Sequence, residues 1–376
     1  MRKLIFIPDS FKGSLSSAQV CECMRRAAEI EAPHAKCIAI PVADGGEGTV
    51  DAFLGAVGGQ RIHMTATGPW GEKVSCYWGK LNEKTAVVEM AAAAGLPMVG
   101  ENKNPEKTTT FGVGEMIKAA LDSGAEEIIL GLGGSATNDG GCGAAAALGV
   151  RFLNEKGKEF VPIGETLKKI AKIDCEPAHK LLSGKRLRVM CDIDNPLCGH
   201  QGAAAVFGPQ KGADASMVDR LDAGLAHLAK IALRDTGKDM LYIPGAGAAG
   251  GMGGGMAVLL GGEMQMGIET VLDVTGFDRM LKGVDAVFTG EGRLDGQSLR
   301  GKVVVGVARR CFQHHVPCIA VVGGVEGNMD GAYAQGVTAV APICRKPMPL
   351  KDAIARSEEN LFATMRDVLR MMQVMK

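Results

Sequence analysis

Gly131-Leu-Gly-Gly-Ser-Ala-Thr-Asn-Asp-Gly-Gly-Cys-Gly143 decides how this chain of 376 residues is read. Ahead of it, Glu127-Ile-Ile-Leu130 is an apolar run of the kind that forms a buried strand. Behind it, Ala144-Ala-Ala-Ala-Leu-Gly149 predicts a helix start, because alanine loses no side-chain entropy there. The order strand, glycine-rich turn, helix brings backbone N–H groups and a helix N-terminus to a space suited to phosphate. Ser135, Thr137, Asn138 and Asp139 add hydroxyl, amide and carboxylate groups that bind phosphate oxygens or the magnesium that accompanies them. The plainer alternative is a tight turn, with glycines at positive φ and Asn138-Asp139 capping the helix.

Outward from this stretch, composition sets the class. The chain is long enough for two domains and a substantial core. Its 42 basic and 42 acidic residues cancel, and there is no long basic run, so nucleic acid and membrane surfaces are excluded as expected partners. The 11 cysteines include no Cys-x-x-Cys pair, which predicts reduced thiols in a cytoplasmic protein. Met1-Arg-Lys-Leu-Ile-Phe-Ile-Pro8 turns polar too soon for a signal peptide and predicts a first strand. Residues 241–262 carry no charge, but they are too rich in glycine for a membrane span; a loop leading into a packed helix fits better.

Strands at 4–7 and 37–42 each run into a polar loop and then a helix, at 15–30 and 50–57. Short alternating runs at 61–67, 74–80 and 85–90 predict antiparallel strands. Helices are expected at 108–123 and 214–234, and a strand at 187–192. The βα rhythm returns with strands at 285–289, 318–322 and 338–343, and helices at 303–312 and 350–375. The two ends of the chain thus look alike and the middle differs. The expected fold is α/β: a discontinuous doubly wound, Rossmann-like parallel-sheet domain with an inserted mixed α/β domain. Its expected bounds are 1–66 plus 285–376 for the first and 67–284 for the insertion, with the active site in the cleft between them.

Two other glycine patterns weigh less. Gly296-Gln-Ser-Leu-Arg-Gly301-Lys302 approaches a P-loop, but Val303 stands where Ser or Thr must hold magnesium. Gly245-Ala-Gly-Ala-Ala-Gly250 fits a dinucleotide fingerprint, which keeps a nicotinamide-dependent oxidoreductase as an alternative. The carboxylates say more: Asp9, Asp44, Glu47, Asp139, Asp192, Asp194, Glu291 and Asp295 all fall at expected strand-to-loop junctions. Each alone is an ordinary cap or turn residue. Recurring at one kind of edge, they point to a shared polar site, with Lys12, Arg293 and Lys211 as loop cations able to clamp anions.

Seven motifs in order resemble the glycerate kinases of the bacterial class I type. They are Pro8-Asp-Ser-Phe-Lys-Gly-Ser-Leu15, Asp44-Gly-Gly-Glu-Gly-Thr49, Thr108-Thr-Thr-Phe-Gly112 and Gly133-Gly-Ser-Ala-Thr-Asn-Asp-Gly-Gly141. Asp192-Ile-Asp-Asn-Pro-Leu197, Gly208-Pro-Gln-Lys-Gly212 and Thr289-Gly-Glu-Gly-Arg-Leu-Asp295 complete the set. The departures are conservative: Phe111 where the family often has Tyr, and Ser298 where it often has Thr. The resemblance implies ATP- and Mg²⁺-dependent phosphorylation of D-glycerate, most often at the 2-hydroxyl, with 3-phosphoglycerate as the alternative product.

Roles then follow from chemistry, since phosphoryl transfer asks mainly for positioning and charge neutralisation. Gly133, Gly134, Ser135, Thr137, Asn138 and Asp139 are expected to hold the ATP phosphates. Asp9, Ser10, Lys12, Ser14, Asp44 and Glu47 are the expected glycerate contacts, with Lys12 or Arg293 on its carboxylate. Asp192 is expected to serve the chemical step or, with Asp194, magnesium; Asp295 is the next carboxylate in line.

Overall fold

The computed structural model describes residues 1–42, 45–296 and 298–374. The chain divides into two units: residues 1–43, 55–57 and 266–376 form one, and 44–54 with 58–265 the other.

The first unit is built on five parallel strands, in spatial order Ala339–Pro342, Cys318–Val322, Ala286–Thr289, Lys3–Phe6, Lys36–Ala39. Their residues alternate between faces. Leu4, Phe6, Ala286, Phe288, Ile319 and Val321 pack with helices Ser17–Glu31 and Ser357–Val374, each fully buried large side chain contributing about 1.5–3 kcal/mol. Helix Val303–Gln313 packs on strands Ala286–Thr289 and Cys318–Val322 and against helix Gly267–Thr275. Helix Ser17–Glu31 starts where it does because Ser16 and Gln19 cap it reciprocally, the Ser16 side chain accepting from the Gln19 N–H. Strand order reverses between Lys3–Phe6 and Ala286–Thr289: the chain moves to one side after the first and to the other after the second. In a doubly wound sheet that reversal, at the carboxyl ends of the strands, is where ligands bind.

The second unit carries a six-stranded mixed sheet, ordered Glu263–Gln265, Arg186–Met190, Glu127–Gly131, Thr85–Glu89, Lys73–Lys80, Gln60–Thr67. The first four are parallel, and their carboxyl ends lie level, Glu89 opposite Gly131 and Gly131 opposite Met190. The last two are an antiparallel pair. Along this sheet the strands follow chain order, with no reversal. The core joins Trp78, Val88, Met116, Ile117, Ile128, Leu130, Leu225, Leu228 and Met256.

Several expectations need correction. Strand Gln60–Thr67 pairs along its whole length with Lys73–Lys80, so residues 60–66 belong to the second unit. Residues 266–284 belong to the first, since Ile268 packs under Gly306, where an added Cβ would lie 2.7 Å from its Cγ2. Thr85–Glu89 is antiparallel to one neighbour and parallel to the other. The terminal helix is two, Leu350–Ala355 and Ser357–Val374, parting at Arg356. Residues 241–247 form turns, so the glycines of 245–250 follow no strand, and Ala249, Gly250 and Gly251 take a left-handed kink instead of a dinucleotide-binding turn. Among the described residues no helix is long and apolar enough to cross a membrane.

Candidate functional site

In the second unit the glycine-rich turn leaves strand Glu127–Gly131 as expected. It can do so only as glycine: a Cβ on Gly133 would sit 2.5 Å from the Gly46 Cα, and the Gly133 N–H donates to the Gly45 carbonyl at 2.8 Å. The turn is held from inside. Asp139 is fully buried and accepts from four donors: the Thr110 N–H (2.8 Å), the Thr110 hydroxyl (2.8 Å), the Gly141 N–H (3.0 Å) and the Gly143 N–H (3.2 Å). Burial pushes its carboxyl above the ordinary range while these donors pull it back. Lys211 is 2% exposed, and its Nζ donates to Ser135 Oγ at 2.6 Å and to the Thr137 carbonyl at 2.7 Å. Burial drives its ammonium down to about 7, with Asp139 opposing. Read from the sequence as a loop cation, Lys211 is a buried strut of this turn.

Backbone N–H groups of the turn are engaged as well. Ala136 donates to Ala94 O, Gly140 to Gly250 O and Ala144 to Thr110 Oγ1. Gly134 is exposed and Gly133 half-buried, whereas Thr137 and Asn138 are buried, with Thr137 Oγ1 and both polar atoms of the Asn138 amide lacking partners among the described residues. The following helix, Cys142–Ala147, is a short one. Of this turn, the exposed edge is therefore Gly133-Gly134, with the buried Ser135 next to it. Asp192 lies two residues past strand Arg186–Met190 and is half-buried; Asp194 is exposed. Glu47 is exposed in the same unit, and Asp44 lies outside the described residues. A residue the sequence reading passed over, Glu89, is 4% exposed and accepts from the Gly48 N–H (3.2 Å) and the Val50 N–H, capping helix Thr49–Val57. Nothing in its local sequence marks it, because its partners lie some forty positions away.

In the first unit the loops after the two strands at the reversal meet. The Asp9 N–H donates to Gly290 O at 2.8 Å, and Thr289 Oγ1 donates to Ile7 O at 2.9 Å. This brings Asp9, Ser10, Lys12, Glu291, Arg293 and Asp295 to one edge. Lys12 is exposed, Asp9 and Ser10 half-buried, and the Ser14 hydroxyl donates to Phe11 O at 3.1 Å. Arg293, exposed, pairs with Asp295 (3.3 Å) and Glu326 (2.9 Å). Glu291 is the deepest of the set, 8% exposed, with Oε1 lacking a hydrogen-bond partner among the described residues. Burial raises its carboxyl to about 7, against the Ser298 hydroxyl bond that lowers it.

Magnesium is commonly held by one or two carboxylates, the remaining positions going to phosphate and water. Asp192 and Asp194 offer that donor type, and no group of three or more metal-ligating side chains occurs among the described residues.

The comparisons with known proteins agree along the whole chain. A model described as the glycerate kinase family matches residues 4–373. The chain is 46% identical over 368 residues to a glycerate kinase of Bacillus cereus, covering 97% of each. It is 40% identical to the glycerate 2-kinase of Escherichia coli, again over 97% of each. A crystal structure named for glycerate kinase 2 from Salmonella typhimurium LT2 superposes with a TM-score of 0.84 at 40% identity, over 99% of this chain and 98% of that one.

Proposed function

On the premise that this chain belongs to the glycerate kinase family and is a kinase, we propose that it transfers the γ-phosphoryl group of MgATP to the 2-hydroxyl of D-glycerate. The observation that carries this reading is the likeness over nearly the full length to relatives named glycerate kinase, one of them a glycerate 2-kinase. The edge at 133–135 takes ATP phosphates, through the open backbone at Gly134 and the Ser135 hydroxyl that Lys211 holds in place. Asp192 and Asp194 hold magnesium, which supplies charge neutralisation on the phosphates. Lys12, exposed at the strand-order reversal, takes the glycerate carboxylate, with Asp9 and Ser10 beside it and Arg293, braced by Asp295, as the second cation.

Coupled ADP release tests the reading. D-glycerate with MgATP should give steady turnover, and L-glycerate a far lower rate. No ADP above the no-substrate background at any magnesium concentration would reject it.

A further inference from the structure

We propose that Glu291 is the general base of the reaction, the group that takes the proton from the attacking glycerate hydroxyl. The inference rests on the glycerate kinase reading above and adds a residue to it.

Three observations about place and contact lead here. Glu291 follows strand Ala286–Thr289 by two positions, on the loop at the reversal of strand order, where a doubly wound sheet binds its ligand. Its backbone is fixed from both sides: the Gly323 N–H donates to its carbonyl at 3.0 Å, and Gly290 is engaged by Asp9. Its side chain is 8% exposed, yet Oε1 has no hydrogen-bond partner among the described residues. A buried carboxylate oxygen without a donor costs free energy that folding does not recover. A hydroxyl arriving at Oε1 supplies the missing donor.

The surroundings suit proton transfer. Asp9 and Asp295 face Glu291 and favour its protonated form; Lys302 and the Ser298 hydroxyl favour the carboxylate. Lys12, from the loop over Gly292, and the Arg293–Glu326 pair are the other charges around this edge. The balance, with burial the largest influence, brings the carboxyl to about 7, where a base is both ionised and strong enough to help at neutral pH. In the step, the glycerate hydroxyl proton passes to Glu291 Oε1 and the hydroxyl oxygen forms its bond to the γ-phosphorus. The bond from that phosphorus to the β,γ-bridging oxygen breaks, its electron pair leaving with ADP. Glu291 returns the proton to water after product release.

The test is a pH–rate profile of the full-length protein between pH 5.5 and 9, for the wild type, Glu291→Gln and Glu291→Asp, with melting temperatures and KM for both substrates. The wild type should show an acid limb in kcat/KM with an apparent pKa near 7. Glu291→Gln should lower kcat by about 10²–10⁴-fold, remove that limb and leave KM for ATP unchanged. Glu291→Asp should restore part of the rate and the limb. Glu291→Gln with near-normal kcat and the limb intact overturns the inference. So does a loss of rate matched by a loss of melting temperature in both variants. A wild type that makes no ADP rejects the kinase reading itself, and this inference with it.

Discussion

Two loops of this molecule share one description, strand then glycine-rich turn then helix, and they dispose of their buried charged groups in opposite ways. In the turn at 132–141 the charged groups are answered, Asp139 receiving four donors and Lys211 tying Ser135 to the Thr137 carbonyl, while the neutral Thr137 hydroxyl and Asn138 amide have no partner among the described residues. In the loop after Thr289, the buried carboxylate of Glu291 has one oxygen without a hydrogen-bond partner among the described residues. The sheets differ in the same sense, one with strands in chain order, the other with a reversal at these loops. The contrast separates two uses of polar chemistry in loops. Charges answered within the fold fix the shape of a backbone edge; a buried carboxylate oxygen left unanswered leaves a position for a substrate atom.

The contrast can be broken at its closed end first. Asp139→Ala should be the most damaging single change to stability, because it strands the Thr110, Gly141 and Gly143 donors in a buried site and removes the carboxylate whose charge favours the buried Lys211 ammonium. Each such orphan costs about 1–3 kcal/mol, so the loss should be at least about 3 kcal/mol, with a fall in Tm of roughly 6–12 °C. Calorimetry measures it. A melting point unchanged within a degree would mean that this network does not hold the turn.

The open end calls for a smaller and different effect. Lys12 is exposed, so Lys12→Ala should leave Tm alone and raise KM for glycerate. Loss of one charge-assisted bond, about 1.5–3 kcal/mol, corresponds to about ten- to a hundred-fold. KM for ATP should hardly move. An equal rise for both substrates, or one confined to ATP, would assign Lys12 to the nucleotide.

Both loops were visible in the sequence as places, and neither was visible as a network. The apolar run before Gly131, the alternation in 61–67 and 74–80, and the helical spacing of 214–234 are local signals, and strands Gln60–Thr67 and Lys73–Lys80 and helix Ala215–Thr236 formed within two residues of them. Lys211 could not be read as buried, because what draws it inward is a hydroxyl and a carbonyl more than seventy residues earlier. Glu89 reads as part of a strand, which it is; that it also caps a helix depends on sheet packing. Glu291 was one of eight carboxylates of the same apparent kind. What sets it apart is burial, which is a property of the packed chain that no neighbouring residue in the sequence announces. The break at Arg356 carries no proline or glycine to announce it.

The central claim, that these loops serve phosphorylation of D-glycerate at the 2-hydroxyl, is tested most directly by the phosphorus NMR spectrum of the product made from D-glycerate and MgATP. The account predicts a single new phosphomonoester with the coupling pattern of 2-phosphoglycerate, formed in step with ADP. A spectrum showing 3-phosphoglycerate, or inorganic phosphate alone, would contradict it.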